Sequence, residues 1–217
     1  MGDDAEGGGP RLSTAFRRTR GGGVSAAFHQ VEIELMRSLV GQLLELVRGQ
    51  PAGRDPFVSG DLLPDDPLAA ALGFGDDPSR PTDPVLLRLF PDGYRDDDAA
   101  AEFRRFTERG LREAKAESAA TVLASLDAVS AGDSAKEDVS KRERIRLRLD
   151  PAQAQSWLRT LTDLRLALGT RLGIEEGDEE VWEGLADGDP RRHIHDVYEW
   201  LGWVQETLVR ALAAGLR

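Results

Sequence analysis

Cysteine is absent from this sequence of 217 residues. That absence excludes disulfide frameworks, thiolate metal sites and thiol redox switches together. Lysine is almost as scarce: Lys115, Lys136 and Lys141 stand among 28 basic residues, so arginine carries nearly all of the positive charge. Against 39 acidic residues the balance is 28 − 39 = −11, which excludes a whole-surface electrostatic grip on nucleic acid. No apolar run approaches the roughly 18 residues that span a bilayer. The opening MGDDAEGGGP is acidic and glycine-rich rather than signal-like. A soluble cytoplasmic protein that touches no membrane is expected.

What is present centres on the stretch from Arg144 to Leu172. Ile145, Leu147 and Leu149 alternate with Arg146 and Arg148, the two-residue period of a half-buried strand. Asp150-Pro151 ends it, with Asp150 as helix N-cap, Pro151 at the first helical position and Gln153 completing a capping box. Trp157, Leu161, Leu164, Leu168 and Leu172 then recur at helical spacing and share one face. The same unit appears 121 residues earlier. Val24, Ala26 and Phe28 match the strand, His29 and Glu32 the cap, and Met36, Val40, Leu43 and Val47 the helix stripe.

These units predict an α+β fold, predominantly helical, with a small three-stranded antiparallel sheet covered on one face by helices. Phe16 to Thr19 reads as a strand that turns through Arg20-Gly21-Gly22-Gly23 into Val24–Phe28. Residues 1–11 read as a disordered tail. Residues 12–217 read as a single helix-rich domain holding the strand–helix pseudo-repeat at 24–48 and 145–172. Helix one is expected over 30–48, followed by an irregular connection over 49–64. Asp-Pro dipeptides place short helices over 68–72 and 85–90. Asp96-Asp97-Asp98 opens a long helix to about Ser130, with Phe103, Phe106 and Ala114 beginning its apolar stripe before it turns towards Leu111, Val122, Leu126 and Val129. Gly110 marks an expected kink there. Residues 131–139 read as a mobile loop, 173–180 as an acidic connection and 181–185 as a helical turn. Asp189-Pro190 caps a final helix with Val197, Trp200, Leu201, Val204, Leu208 and Leu212 on one face.

Four stretches, AFRRTRGGGVSAAF, YRDDDAAAEFRRFTERGL, DLRLALGTRLGI and YEWLGWVQETLVRAL, resemble an actinobacterial family known as a domain of unknown function. Its members are described as oxidative-stress transcription regulators, the AosR group. The resemblance covers nearly the whole chain from about residue 12. It implies a stress-response role in transcription and brings no catalytic signature with it. Without cysteine, a thiol-based switch is chemically closed to this sequence.

The candidate chemistry is sparse. Asp96, Asp97, Asp98 and Glu102 could serve a hard cation, but a capped helix start, whose macrodipole they complement, is the simpler explanation. His193 and His195 sit two apart and cannot face one ion from a regular helix. The glycine clusters at 7–9 and 21–23 lack the rest of a phosphate-binding loop. No nucleophile–base–acid set emerges. A non-enzymatic protein with no cofactor and no metal is the expectation.

Two surfaces stand out. If Phe16, Val24, Phe28, Ile145, Leu147 and Leu149 point inward, then Arg17, Arg144, Arg146 and Arg148 point outward with Ser25, flanked by Arg20 and Lys141. They form either a contact face for nucleic acid or an acidic partner, or a solvated face balanced by nearby carboxylates. Trp203 lies about 120° around its helix from Val197, so it marks a partner surface or packs against a neighbouring loop. A protein partner is expected, DNA is the open alternative, and homodimerisation is compatible with both.

Overall fold

The computed structural model of the chain describes residues 14–49, 81–133, 144–175 and 189–214, together with positions 177, 178, 182 and 184–186. Expectations for residues 1–11, 50–64, 68–72 and 134–139, and for Lys141, fall outside the described residues. Strand β1 (Thr14–Arg18) and strand β2 (Val24–His29) lead into helix α1 (Gln30–Arg48). Helices α2 (Pro84–Leu89) and α3 (Asp97–Asp133) follow. Strand β3 (Arg144–Leu149) runs into α4 (Pro151–Leu172), and α5 is Pro190–Ala213. The architecture is α+β and predominantly helical.

The sheet order is β1-β2-β3, antiparallel throughout, so the first strand–helix unit supplies the central strand. Alternation decides its faces. Phe16, Val24, Ala26, Phe28, Ile145, Leu147 and Leu149 are all buried on the side the helices cover. The β1–β2 turn needs glycine for two reasons. Gly22 adopts φ +82°, where side chains are strained. A Cβ on Gly23 would lie 2.3 Å from the Leu149 carbonyl oxygen, because β3 ends against it. Beyond β1 no further strand pairs among the described residues. Instead the Phe16 N–H donates to Thr207 Oγ1 on α5 at 3.3 Å, which satisfies an edge-strand amide with a helix side chain.

The β2–β3 register carries the internal repeat in an unexpected way. Val24 faces Leu149, Ala26 faces Leu147 and Phe28 faces Ile145. Since 26 + 121 = 147, Ala26 pairs with its own sequence equivalent, and the two strands are related by a local two-fold axis through that pair. Both helices carry the matching cap. The Asp150 carboxylate accepts the Gln153 N–H at 2.8 Å, and the Gln153 side chain accepts the Asp150 N–H at 3.0 Å. In the first unit Glu32 accepts the His29 N–H at 2.7 Å. Both helices end on left-handed glycines, Gly49 and Gly173. At 22 residues against 19, α4 outlasts α1 by about one turn.

Helix α3 lies against both α1 and α4, α2 against α4, and α5 against α4 and β1. Trp157 sits where these layers meet. It is 1% exposed, with Phe16 edge-on at 6.0 Å and Phe28 stacked at 6.3 Å. Its indole N–H donates to Ser125 Oγ at 2.9 Å.

Helix α3 departs from the expected pattern in two respects. It passes through Gly110 as one uninterrupted helix and continues to Asp133. A single exposed glycine costs about 1 kcal/mol but removes no hydrogen bond. In addition, Phe103, Phe106, Leu111 and Ala114 are exposed, and the buried positions of that half are Ala100, Arg104 and Glu108. Arg104 can turn inward because Asp92 and Glu108 neutralise it there. In the second half Val122 and Leu126 are buried as expected.

Candidate functional site

The face of the sheet that no described helix covers holds the sequence's strongest candidate. Side chains directly opposite in antiparallel strands lie on the same face. Arg17 on β1 faces Ser25 on β2, and Ser25 faces Arg148 on β3, making one cross-strand row. In the next rows Ala27 faces Arg146 and His29 faces Arg144. Arg17, Arg144, Arg146 and Arg148 are exposed, while Ser25, Ala27 and His29 are half-buried. The result is a trough: small residues floor the central strand, and long cationic side chains stand on the two outer strands. Its walls lie about 10 Å apart, two inter-strand spacings.

What decides the electrostatics is the lack of counter-ions. The side chains of Arg17, Arg146 and Arg148 have no hydrogen-bond or ion-pair partner among the described residues, while Arg144 is engaged. Several arginines elsewhere are paired, Arg37 with Asp127, Arg109 with Glu113, Arg171 with Asp83 and Arg210 with Glu206. On this face the outward positions of β2 are serine, alanine and histidine, so the sheet offers no carboxylate in return. The structure thus brings all four predicted arginines onto one open surface. Arg20, at its margin, is also exposed.

Trp203 is placed differently. It is half-buried and packs on the core beside Trp200. The large exposed apolar side chains are elsewhere, chiefly Phe106, Val31, Tyr94 and Leu111. The Asp96 cluster behaves as a helix start, with the Asp96 carboxylate accepting the Ala99 N–H at 2.9 Å. His195 stacks on Trp182 at 5.0 Å with the rings 5° apart. Among the described residues no group of three or more histidines and acids is arranged to hold a metal.

Sequence reading missed a line of charges along α3. Arg104 bridges Asp92 and Glu108, Arg112 bridges Glu108 and donates to the Val47 carbonyl at 2.8 Å, and its guanidinium lies 4.6 Å over the Phe90 ring. Lys115 then meets Asp163 at 2.6 Å. Burial pushes the Asp163 carboxyl up, against the downward pull of Lys115. The i,i+4 spacing of Arg104, Glu108 and Arg112 was the available signal. These groups fasten α3 to α1, α4 and the Phe90 loop. The hollow beside them has room for little more than one water, too small for a substrate pocket.

The sequence matches the family described as a domain of unknown function, DUF2017, over residues 13–212. The chain belongs to the DUF2017 family. This DUF2017 protein is 33% identical over 198 residues to the AosR protein of Mycobacterium leprae (strain TN), covering 84% of this chain and 79% of that protein. It is 34% identical over 144 residues to the oxidative stress regulator AosR of Mycobacterium tuberculosis (strain ATCC 25618 / H37Rv), covering 61% of this chain and 60% of that relative. The same figures hold for the Mycobacterium bovis protein of that name. This chain therefore spans only about three fifths of the length of those latter two relatives. No solved structure matches it. Among the described residues no helix is long and apolar enough to cross a membrane.

Proposed function

We propose that this DUF2017 protein is a non-enzymatic regulator of the oxidative-stress response, acting on transcription in the cytoplasm through an anionic macromolecular partner held on its arginine face. One observation carries the reading: the exposed side chains of Arg17, Arg146 and Arg148 share one sheet face, and the central strand between them presents serine, alanine and histidine with no carboxylate. A guanidinium fork matches phosphate and carboxylate groups two bonds at a time, which makes such a face a contact surface. The names of the mycobacterial relatives support the regulatory side. Thiol chemistry is unavailable to these 217 residues, and Met36 is only 2% exposed. Regulation here accordingly works by contact, not by a thiol switch or by oxidation of the buried Met36.

The test is genetic. Transcript profiles after peroxide treatment are compared in the parent strain, a strain lacking this chain, and one carrying Arg17→Gln, Arg146→Gln and Arg148→Gln together. The reading expects the last two to share the same altered profile. An unaltered profile in the deletion strain would remove the regulator assignment.

A second reading, an adaptor with no nucleic-acid contact, draws on a different surface. Tyr94 packs edge-on to Phe103 at 5.7 Å, and Phe106 and Leu111 stand exposed on the same stretch of α3. Exposed apolar side chains grouped this way suit a protein partner.

A further inference from the structure

We infer that the trough along β2 seats one sugar-phosphate strand of duplex nucleic acid, which makes the anionic partner a double helix. The inference rests on the regulator reading above and specifies its partner. Three observations carry it. First, the cations stand in walls and not in a cluster. Arg17 rises on one side of Ser25 and Arg148 on the other, and Arg146 continues the second wall one side-chain repeat further, about 6.8 Å along the strand. Guanidinium groups on both sides of a narrow floor suit a linear polyanion lying lengthwise. The Ser25 hydroxyl between Arg17 and Arg148 adds a donor at the floor of that row.

Second, the floor is small. Ser25 and Ala27 let a backbone approach the sheet closely, whereas protein interfaces centre on apolar or aromatic anchors. No such anchor lies on these rows. Third, the outward positions of the three strands carry no phenylalanine, tyrosine or tryptophan. Single-strand binders use such rings to stack unpaired bases. A duplex keeps its bases stacked internally and turns its phosphates outward, which is what this face can take.

The net charge of −11 opposes long-range attraction, so binding depends on contacts made inside the trough and weakens steeply with salt. Three phosphate contacts give a slope of about −2.7 in log affinity against log salt, or about a 40-fold loss between roughly 50 and 200 mM.

Fluorescence anisotropy with the full chain tests this, using a short labelled duplex, one of its strands alone, and a polyglutamate peptide. The duplex is expected to bind most tightly at low salt, with the slope just given. Arg17→Gln alone removes one wall and is expected to leave about a 12-fold salt effect. Arg146→Gln with Arg148→Gln is expected to leave about 4-fold, and all three together less than 2-fold. Circular dichroism and melting of each variant, expected to match the parent, confirm that these exposed substitutions spare the fold.

Stronger binding of the single strand or of polyglutamate overturns the duplex assignment. So does a salt slope that ignores Arg17, or no binding at low salt. If any of these occurs while the deletion strain still shows altered transcripts, the regulator reading stands and only the duplex is lost. An unaltered deletion strain alongside Arg-dependent duplex binding loses the regulator reading and keeps the trough.

Discussion

At the scale of single residues, Trp157 links the two layers of the molecule. Its ring meets Phe16 and Phe28 from the sheet, and its N–H meets Ser125 from α3. Trp157→Ala should therefore cost about 3–5 kcal/mol in urea denaturation, from lost transfer and the cavity left behind. Trp203→Ala should cost distinctly less, since that ring is half-buried. Equal losses would contradict this assignment of the core. Gly23 makes a second sharp case. Gly23→Ala drives a methyl onto the Leu149 carbonyl, so it should lower the melting temperature and speed amide exchange at the Val24–Leu149 end of the sheet. Gly21→Ala, which meets nothing within 4 Å, serves as its control.

Asp163 gives a residue-scale pH effect whose sign follows from its environment. Burial raises its folded-state pKa above the ordinary 3.8, although Lys115 lies against it. The folded state therefore holds that proton more tightly than the unfolded chain. The resulting stabilisation is complete below the unfolded pKa and disappears as pH rises through the raised value. Measured as melting temperature, the parent should lose ground to Asp163→Asn as pH climbs from about 4. Curves for the two that stay parallel would show that burial does not control this carboxyl.

At the scale of elements, the strand–helix units were readable because two periods and a cap agreed locally. Alternation assigned Ile145, Leu147 and Leu149 to the core, and Asp150 closed the strand and opened α4. Asp150→Ala should cost about 1 kcal/mol in denaturation, and a loss below a few tenths would mean the cap is redundant. What stayed hidden depended on partners distant in sequence. The stripe of α3 seemed to begin at Phe103 and Phe106, yet Arg104 and Glu108 turn inward. Asp92 lies outside the helix, and hydrophobic periodicity cannot register an ion pair made there. The central place of β2 was equally closed to local reading. It depends on β3 adding to one edge of a hairpin more than a hundred residues away. The four arginines were found by alternation alone. The lack of counter-ions at Arg17, Arg146 and Arg148 became visible only once the neighbouring strand was seen to present serine, alanine and histidine beside them.

At the scale of the whole molecule, the negative charge and the arginine face are kept apart by topology. The carboxylates that hold arginines sit largely on helices, at i,i+4 spacing or between helices, while the outward positions of the three strands, among the described residues, hold no carboxylate. The pairing of Ala26 with Leu147, its own repeat equivalent, has a consequence for the chain when it is cut. Severing the polypeptide between α1 and β3 and removing the second half would strip one edge of β2 and leave its backbone groups unpaired, a template for other strands. Because the lost register is symmetric about residue 26, a second copy of the same fragment can fill the gap, each β2 pairing with the other around Ala26. A fragment ending after α1 should therefore sediment as a dimer, and adding the separate β3–α4–α5 fragment should dissolve that dimer in favour of a mixed pair. A monomeric first fragment would mean that the two-fold register belongs to the sheet alone and cannot be passed between chains.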